Sequence, residues 1–98
     1  MSSFKELIAS HPLVLVDFFA TWCGPCKVLA PVLSEVKQEA GDRLKIVKID
    51  VDKHPKLAAA KQVRGVPTLI LFKEGQQVWR QSGVQSKQAL LQLLNEHN

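Results

Sequence analysis

The chain has 98 residues, 46% of them apolar, enough for one core without disulfide staples and too few for two; one domain over residues 1–98 is expected. Its 13 basic and 9 acidic side chains give a formal charge of +4, but they are scattered from Lys5 to Lys87, the pattern of a solvated surface and not of a nucleic-acid interface. No run approaches the roughly 18 apolar residues of a membrane span, and Met1 through Pro12 lacks a secretory signal's basic start and apolar centre, so a cytoplasmic setting without a membrane is expected, where thiols stay reduced.

Phe4, Leu7 and Ile8 repeat at helical spacing and predict a short first helix. Leu13-Val14-Leu15-Val16-Asp17-Phe18-Phe19 reads as a strand buried on both faces. Next, Val28, Leu29, Val32, Leu33, Val36 and Ala40 recur at about 3.6 residues until Gly41-Asp42, predicting a second helix. Leu44 to Val51 predicts another strand, and His54-Pro55 opens a short helix through Val63, with proline near the first helical position. Thr68 to Lys73 and Gln77 to Ser82 flank Glu74-Gly75-Gln76 and predict an antiparallel hairpin with glycine in its turn. Ser86 caps a last helix carrying Ala89, Leu90, Leu93 and Leu94. The order α-β-α-β-α-β-β-α predicts an α/β fold, a mixed four-stranded sheet with helices on both faces.

The only two cysteines lie in Trp22-Cys23-Gly24-Pro25-Cys26-Lys27. A disulfide closing so short a loop stabilises by about 2 kcal/mol at most, a weak staple. Cβ atoms three apart on a helix are roughly 5–6 Å from each other, against about 3.5–4.5 Å in a disulfide, so one turn holds the pair open or bonded with little movement. That suits a reversible dithiol. Cys23 falls at the N-terminus of the second helix, where the dipole favours an anion by about 0.3–1 kcal/mol, up to about 2 when partly buried. With S–H···S⁻ sharing by Cys26, this lowers the Cys23 pKa by about one or two units from about 8.5. Pro25 stiffens the loop and removes a donor that would stabilise the thiolate further, which favours a reductant over an oxidant. Gly24 leaves room for another chain to approach. A metal module needs about four ligands, and His11, His54 and His97 lack zinc spacing, so no metal is expected.

WCGPCK resembles the active-site motif of the thioredoxin family. The likeness runs from about Phe4 to the C-terminus through ordered features: Asp17 before the motif, Pro31 within the motif helix, Lys48 in the next strand, Gly65-Val66-Pro67-Thr68, Gly75 and Gly83. It implies the thioredoxin fold and a general protein-disulfide reductase. Cys23 would attack a substrate disulfide and Cys26 would resolve the mixed disulfide, closing a Cys23–Cys26 redox disulfide. Asp17, in an otherwise apolar strand, would act as base toward Cys26 through a water; its alternative is a hydrogen-bonded polar residue of the strand. The resemblance sets Lys48 beside Asp17, against the alternative of an exposed strand lysine. Pro67 matches the family's cis-proline, which leaves the Val66 backbone free to pair with substrate, against mere punctuation before a strand. Trp22, Gly24, Pro25, Val66, Gly83 and Val84 would rim Cys23 where partners dock, with a core aromatic as the alternative for Trp22. Arg64, beside that loop, would favour acidic partner segments. Pro31 would kink its helix.

The resemblance further implies no bound cofactor, with electrons from NADPH through a flavin-dependent thioredoxin reductase. Substrates would be of the ribonucleotide reductase, peroxiredoxin or methionine sulfoxide reductase class. Three departures stand out. The family usually opens with a strand that is absent or vestigial here, leaving the strand from Leu44 to Val51 at an open edge guarded by Lys45 and Lys48. A monomer is expected, with dimerisation at that edge as the alternative. Phe19 stands where relatives often carry tryptophan, and Trp79 would sit exposed on an edge strand, as a docking contact or, more simply, a residue of high β-propensity. The competing functions are a thioredoxin-fold scaffold subunit without turnover, opposed by the cysteine pair, Asp17 and Pro67, and a cell-envelope oxidant or isomerase, opposed by Gly24-Pro25.

Overall fold

The computed structural model describes residues 3–98. Its elements are α1 (Phe4–Ile8), β1 (Leu13–Phe19), α2 (Gly24–Ala40), a 3-10 turn (Gly41–Arg43), β2 (Lys45–Asp50), α3 (Pro55–Ala60), β3 (Thr68–Lys73), β4 (Gln76–Ser82) and α4 (Lys87–Glu96). The sheet order is β2-β1-β3-β4, with β1 parallel to β2 and antiparallel to β3, and β4 antiparallel to β3.

Side chains alternate across a strand, so β1 feeds two cores. Leu13 and Leu15, with Leu69 and Leu71 of β3, pack under Leu29, Leu33 and Val36 of α2 and Leu90, Leu93 and Leu94 of α4. Val14, Val16 and Phe18, with Ile70 and Phe72, pack on the opposite face against Ile8 of α1 and Leu57 of α3. Asp17 has the parity of Leu13 and Leu15, which sends its carboxyl toward the α2 face.

Local chemistry sets the ends. Ser3 and Glu6 form a capping box on α1, Glu6 N–H donating to Ser3 Oγ and Ser3 N–H to Glu6 Oε1. Ser86 Oγ accepts from Ala89 N–H and starts α4, as its sequence position predicts. α2 runs through Pro31 to Ala40, and Lys37 Nζ closes its end by donating to the carbonyls of Gly41 and Leu44.

Four expectations need correction. The strand expected over Leu44–Val51 is shorter, Lys45–Asp50, because the 3-10 turn draws Leu44 into a cap whose N–H bonds the Gly41 carbonyl. The helix expected through Val63 ends at Ala60: Gln62 turns left-handed at φ 56°, and the N–H groups of Val63 and Gln62 donate back to the carbonyls of Ala58 and Ala59. The hairpin turn is two residues, Glu74 (φ 51°) and Gly75 (φ 80°), so β4 starts at Gln76 and not Gln77. Trp79 is half-buried against the α4 core, not exposed, because a register shift between Leu71 and Phe72 places it opposite Leu71.

Ser3 is the N-cap of α1, and among the described residues no strand precedes that helix; the expected vestige of a first strand falls otherwise on Met1 and Ser2, which lie outside them. β2 is the open edge that the sequence predicts.

Candidate active site

The site forms where β1 leaves the sheet. Cys23 N–H donates to the Ala20 carbonyl and closes the connection, and Cys23 becomes the N-cap of α2 with extended backbone. Gly24 and Pro25 fill the first turn, where proline's missing N–H costs nothing. Cys26 N–H donates to Cys23 Sγ at 3.1 Å, so one of the first-turn amides that the helix leaves unpaired points at that sulfur. Cys23 and Cys26 are joined in a disulfide with their Cα atoms 5.3 Å apart. Both are buried against Ala20, with Phe19, Val51 and Val66 around them.

The loop before β3 supplies the opposing wall. Thr68 Oγ1 donates to the Gly65 carbonyl at 2.7 Å and folds Gly65–Thr68 into a tight corner. The Val66–Pro67 bond is cis, and the Val66 carbonyl oxygen lies 3.6 Å from Cys23 Sγ. Val66 precedes the sheet, whose pairing starts at Thr68, so its backbone takes no part in the ladder. Gly83, left-handed at φ 88°, donates to the Pro67 carbonyl at 2.9 Å and delivers the exposed Val84 beside the corner. A Cβ at Gly24 would meet no atom within 4 Å, which leaves open the approach to Cys23 that the sequence suggests.

Trp22 is 69% exposed, so it is not a core aromatic. Its Nε1–H donates to Asp52 Oδ2 at 2.8 Å, and with Val63, Arg64 and Val66 it lines a groove of about 140 Å³. Asp52 is a site residue that the sequence does not signal, since the contact joins positions 30 apart.

Behind the disulfide lies a second cleft of about 260 Å³, lined among others by Asp17, Phe19, Cys26, Ala30 and Lys48. Asp17 is 1% exposed, and its Oδ1 has no hydrogen-bond partner among the described residues. Burial raises its pKa from 3.8 to about 6, and the charge of Lys48, its register partner on β2, opposes that rise. Lys48 is exposed and also lies 5.8 Å from the centre of the Phe19 ring, so the aromatic body at position 19 seats the cation beside the cleft.

A family model described as Thioredoxin matches residues 1–96. The chain belongs to the thioredoxin family. It is 51% identical over 88 residues to the thioredoxin of Bacillus subtilis (strain 168), covering 90% of this chain and 85% of that one. It is 48% identical over 95 residues to a bifunctional thioredoxin reductase/thioredoxin of Mycobacterium leprae, covering 97% of this chain and 21% of the larger protein. Among solved structures, a mutant thioredoxin from Halobacterium salinarum superposes with a TM-score of 0.88 at 41% identity, covering 99% of this chain and 84% of that one. The fold is the thioredoxin fold, and the activity is the family's, reduction of protein disulfides by dithiol–disulfide exchange.

Proposed function

We propose that Cys23 is the attacking thiol, Cys26 the resolving thiol and Asp17 the proton acceptor for the second step. The observation that carries this reading is the division of the site: Cys23 Sγ lies against the Val66 carbonyl, while Cys26 shares a cleft with Asp17 and Lys48. In the reduced protein, the Cys23 thiolate, favoured by the amides of α2, attacks one sulfur of a substrate disulfide. The other sulfur leaves as a thiolate and takes a proton from solvent. Cys26 then passes its proton to Asp17, directly or through a water, and attacks Cys23. The second substrate thiolate departs and is protonated, and the electron pair of the dithiol has moved to the substrate.

Burial brings the pKa of the Asp17 carboxyl up to about 6, where it takes and returns a proton near neutral pH, and the charge of Lys48 limits that rise. Trp22, Gly24, Pro25, Val66, Pro67, Gly83 and Val84 form the docking rim, with substrate backbone pairing against Val66. The fused Mycobacterium leprae relative supports a thioredoxin reductase as the partner that restores the dithiol. Electrons then come from NADPH through that enzyme's flavin, and ribonucleotide reductase, peroxiredoxin and methionine sulfoxide reductase are the proposed substrate classes. A cytoplasmic location fits this reducing role; no helix among the described residues is long and apolar enough to cross a membrane.

The test is insulin reduction driven by NADPH and thioredoxin reductase. Turnover is expected to vanish in Cys23→Ser, and Cys26→Ser is expected to accumulate a mixed disulfide with substrate. Turnover surviving in Cys23→Ser would overturn the order of attack, and none in the wild type would point to a scaffold role. The resolving step is also expected to slow as pH falls through about 6, with that limb absent in Asp17→Asn.

A further inference from the structure

A cavity larger than either cleft beside the cysteines lies elsewhere on the surface. A groove of about 420 Å³ runs between α2 and the outer edge of β2, lined by Ala30, Leu33, Ser34, Lys37, Ile46 and Lys48. It adjoins the catalytic cleft, with which it shares Ala30 and Lys48.

The same edge carries backbone that is unpaired among the described residues. Val51 N–H donates to the Phe19 carbonyl, so odd-numbered residues of β2 turn their peptide groups toward β1. Peptide groups alternate sides along a strand, which points those of Ile46 and Lys48 and the N–H of Asp50 away from the sheet. The edge reads Lys45-Ile46-Val47-Lys48-Ile49.

We infer that β2 accepts an added strand from a partner protein, an extended segment in which acidic and apolar residues mirror that pattern. Its backbone would complete the ladder of Ile46, Lys48 and Asp50, one apolar side chain would fill the groove over Leu33 and Ile46, and carboxylates would face Lys45 and Lys48. Lys45 now rests on the exposed Ser10 Oγ at 2.8 Å, a contact that a carboxylate would replace with an ion pair. Lys37, committed to the carbonyls of Gly41 and Leu44, adds positive charge at the groove.

A second copy is the less well matched occupant, because no two-fold antiparallel register within Lys45–Asp50 sets a carboxylate opposite both lysines; centred on Val47, it faces Lys45 with Ile49 and Lys48 with Ile46. A two-fold antiparallel pairing centred on Lys48 opposes like charges. Centred on Ile49 it pairs Lys48 with Asp50 but sets Lys45 and Ile46 opposite residues 53 and 52, beyond the end of the partner strand at Asp50.

The experiment titrates the isotopically labelled, oxidised full chain with an end-capped peptide Ser-Val-Glu-Val-Val-Glu-Val-Ser, whose core reads alike in both strand directions. The control peptide carries lysine for each glutamate. The amide resonances of Ile46, Lys48 and Asp50 are expected to shift with the glutamate peptide, and their hydrogen exchange to slow. Lys45→Glu is expected to weaken that peptide about three- to tenfold and to strengthen the control, with Lys45→Gln intermediate. Equal effects of both peptides, or none at these amides, would overturn the inference. So would shifts there that follow protein concentration without peptide, which would assign the edge to a second copy.

Discussion

The role proposed for Asp17 sets catalysis against stability in a single side chain. The folded carboxyl holds its proton up to about pH 6, whereas the unfolded one releases it near 3.8. The folded form therefore binds more protons over that interval, and stability declines as pH rises from the lower value through the upper one. Two pKa units correspond to about 3 kcal/mol. Urea unfolding at about pH 4 and about pH 8 is expected to show this decline in the wild type and not in Asp17→Asn; equal declines in both would remove Asp17 as its source. At this scale the site was legible where one residue breaks a pattern. Asp17 and Lys48 interrupt apolar strands, and Cys23, Pro67 and Gly83 stand in motif positions. Asp52 was not, because its bond to the Trp22 indole exists only once two loops meet. Gln77 and Arg80 beside Trp79 suggest exposure, while the register shift that turns it inward leaves no mark in the sequence.

For whole elements, helical spacing, continuous apolar runs and the turn and cap residues at His54-Pro55, Gly75 and Ser86 located the four α-helices and four strands, though not the 3-10 turn at Gly41–Arg43. They did not locate the ends, which depend on groups brought from elsewhere. α3 shows this best. The Arg80 guanidinium reaches from β4 and donates to the carbonyls of Lys61 and Gln62 at 2.6 and 2.8 Å, closing the helix's C-terminal end. Arg80→Ala removes both charge-assisted bonds and is expected to lower stability by about 1–3 kcal/mol in denaturant unfolding. Gln62 occupies the left-handed position of that terminus, where a side chain is penalised and glycine is not. Gln62→Gly is accordingly expected to raise stability by about 0.5–1 kcal/mol; a loss would mean that the Gln62 side chain contributes more than its backbone costs.

Across the molecule, protection should follow the sheet order. β1 and β3 are paired on both sides and buried on both faces, whereas β2 and β4 are edges. Native-state hydrogen exchange is expected to be slowest in β1 and β3 and fast at the amides of Ile46 and Lys48; slow exchange at those two in the isolated protein would contradict an open edge. The same order gives the sheet two unlike poles. The start of β3 abuts the cis-proline corner and the disulfide, while its far end turns at Glu74–Gly75, beside Ala9 and Pro12. A tether or affinity tag inserted at that tip, with the hairpin loop lengthened to four or five residues, would leave the reducing face turned toward solution. The hairpin tip is thus the natural handle for holding this reductant on a solid support.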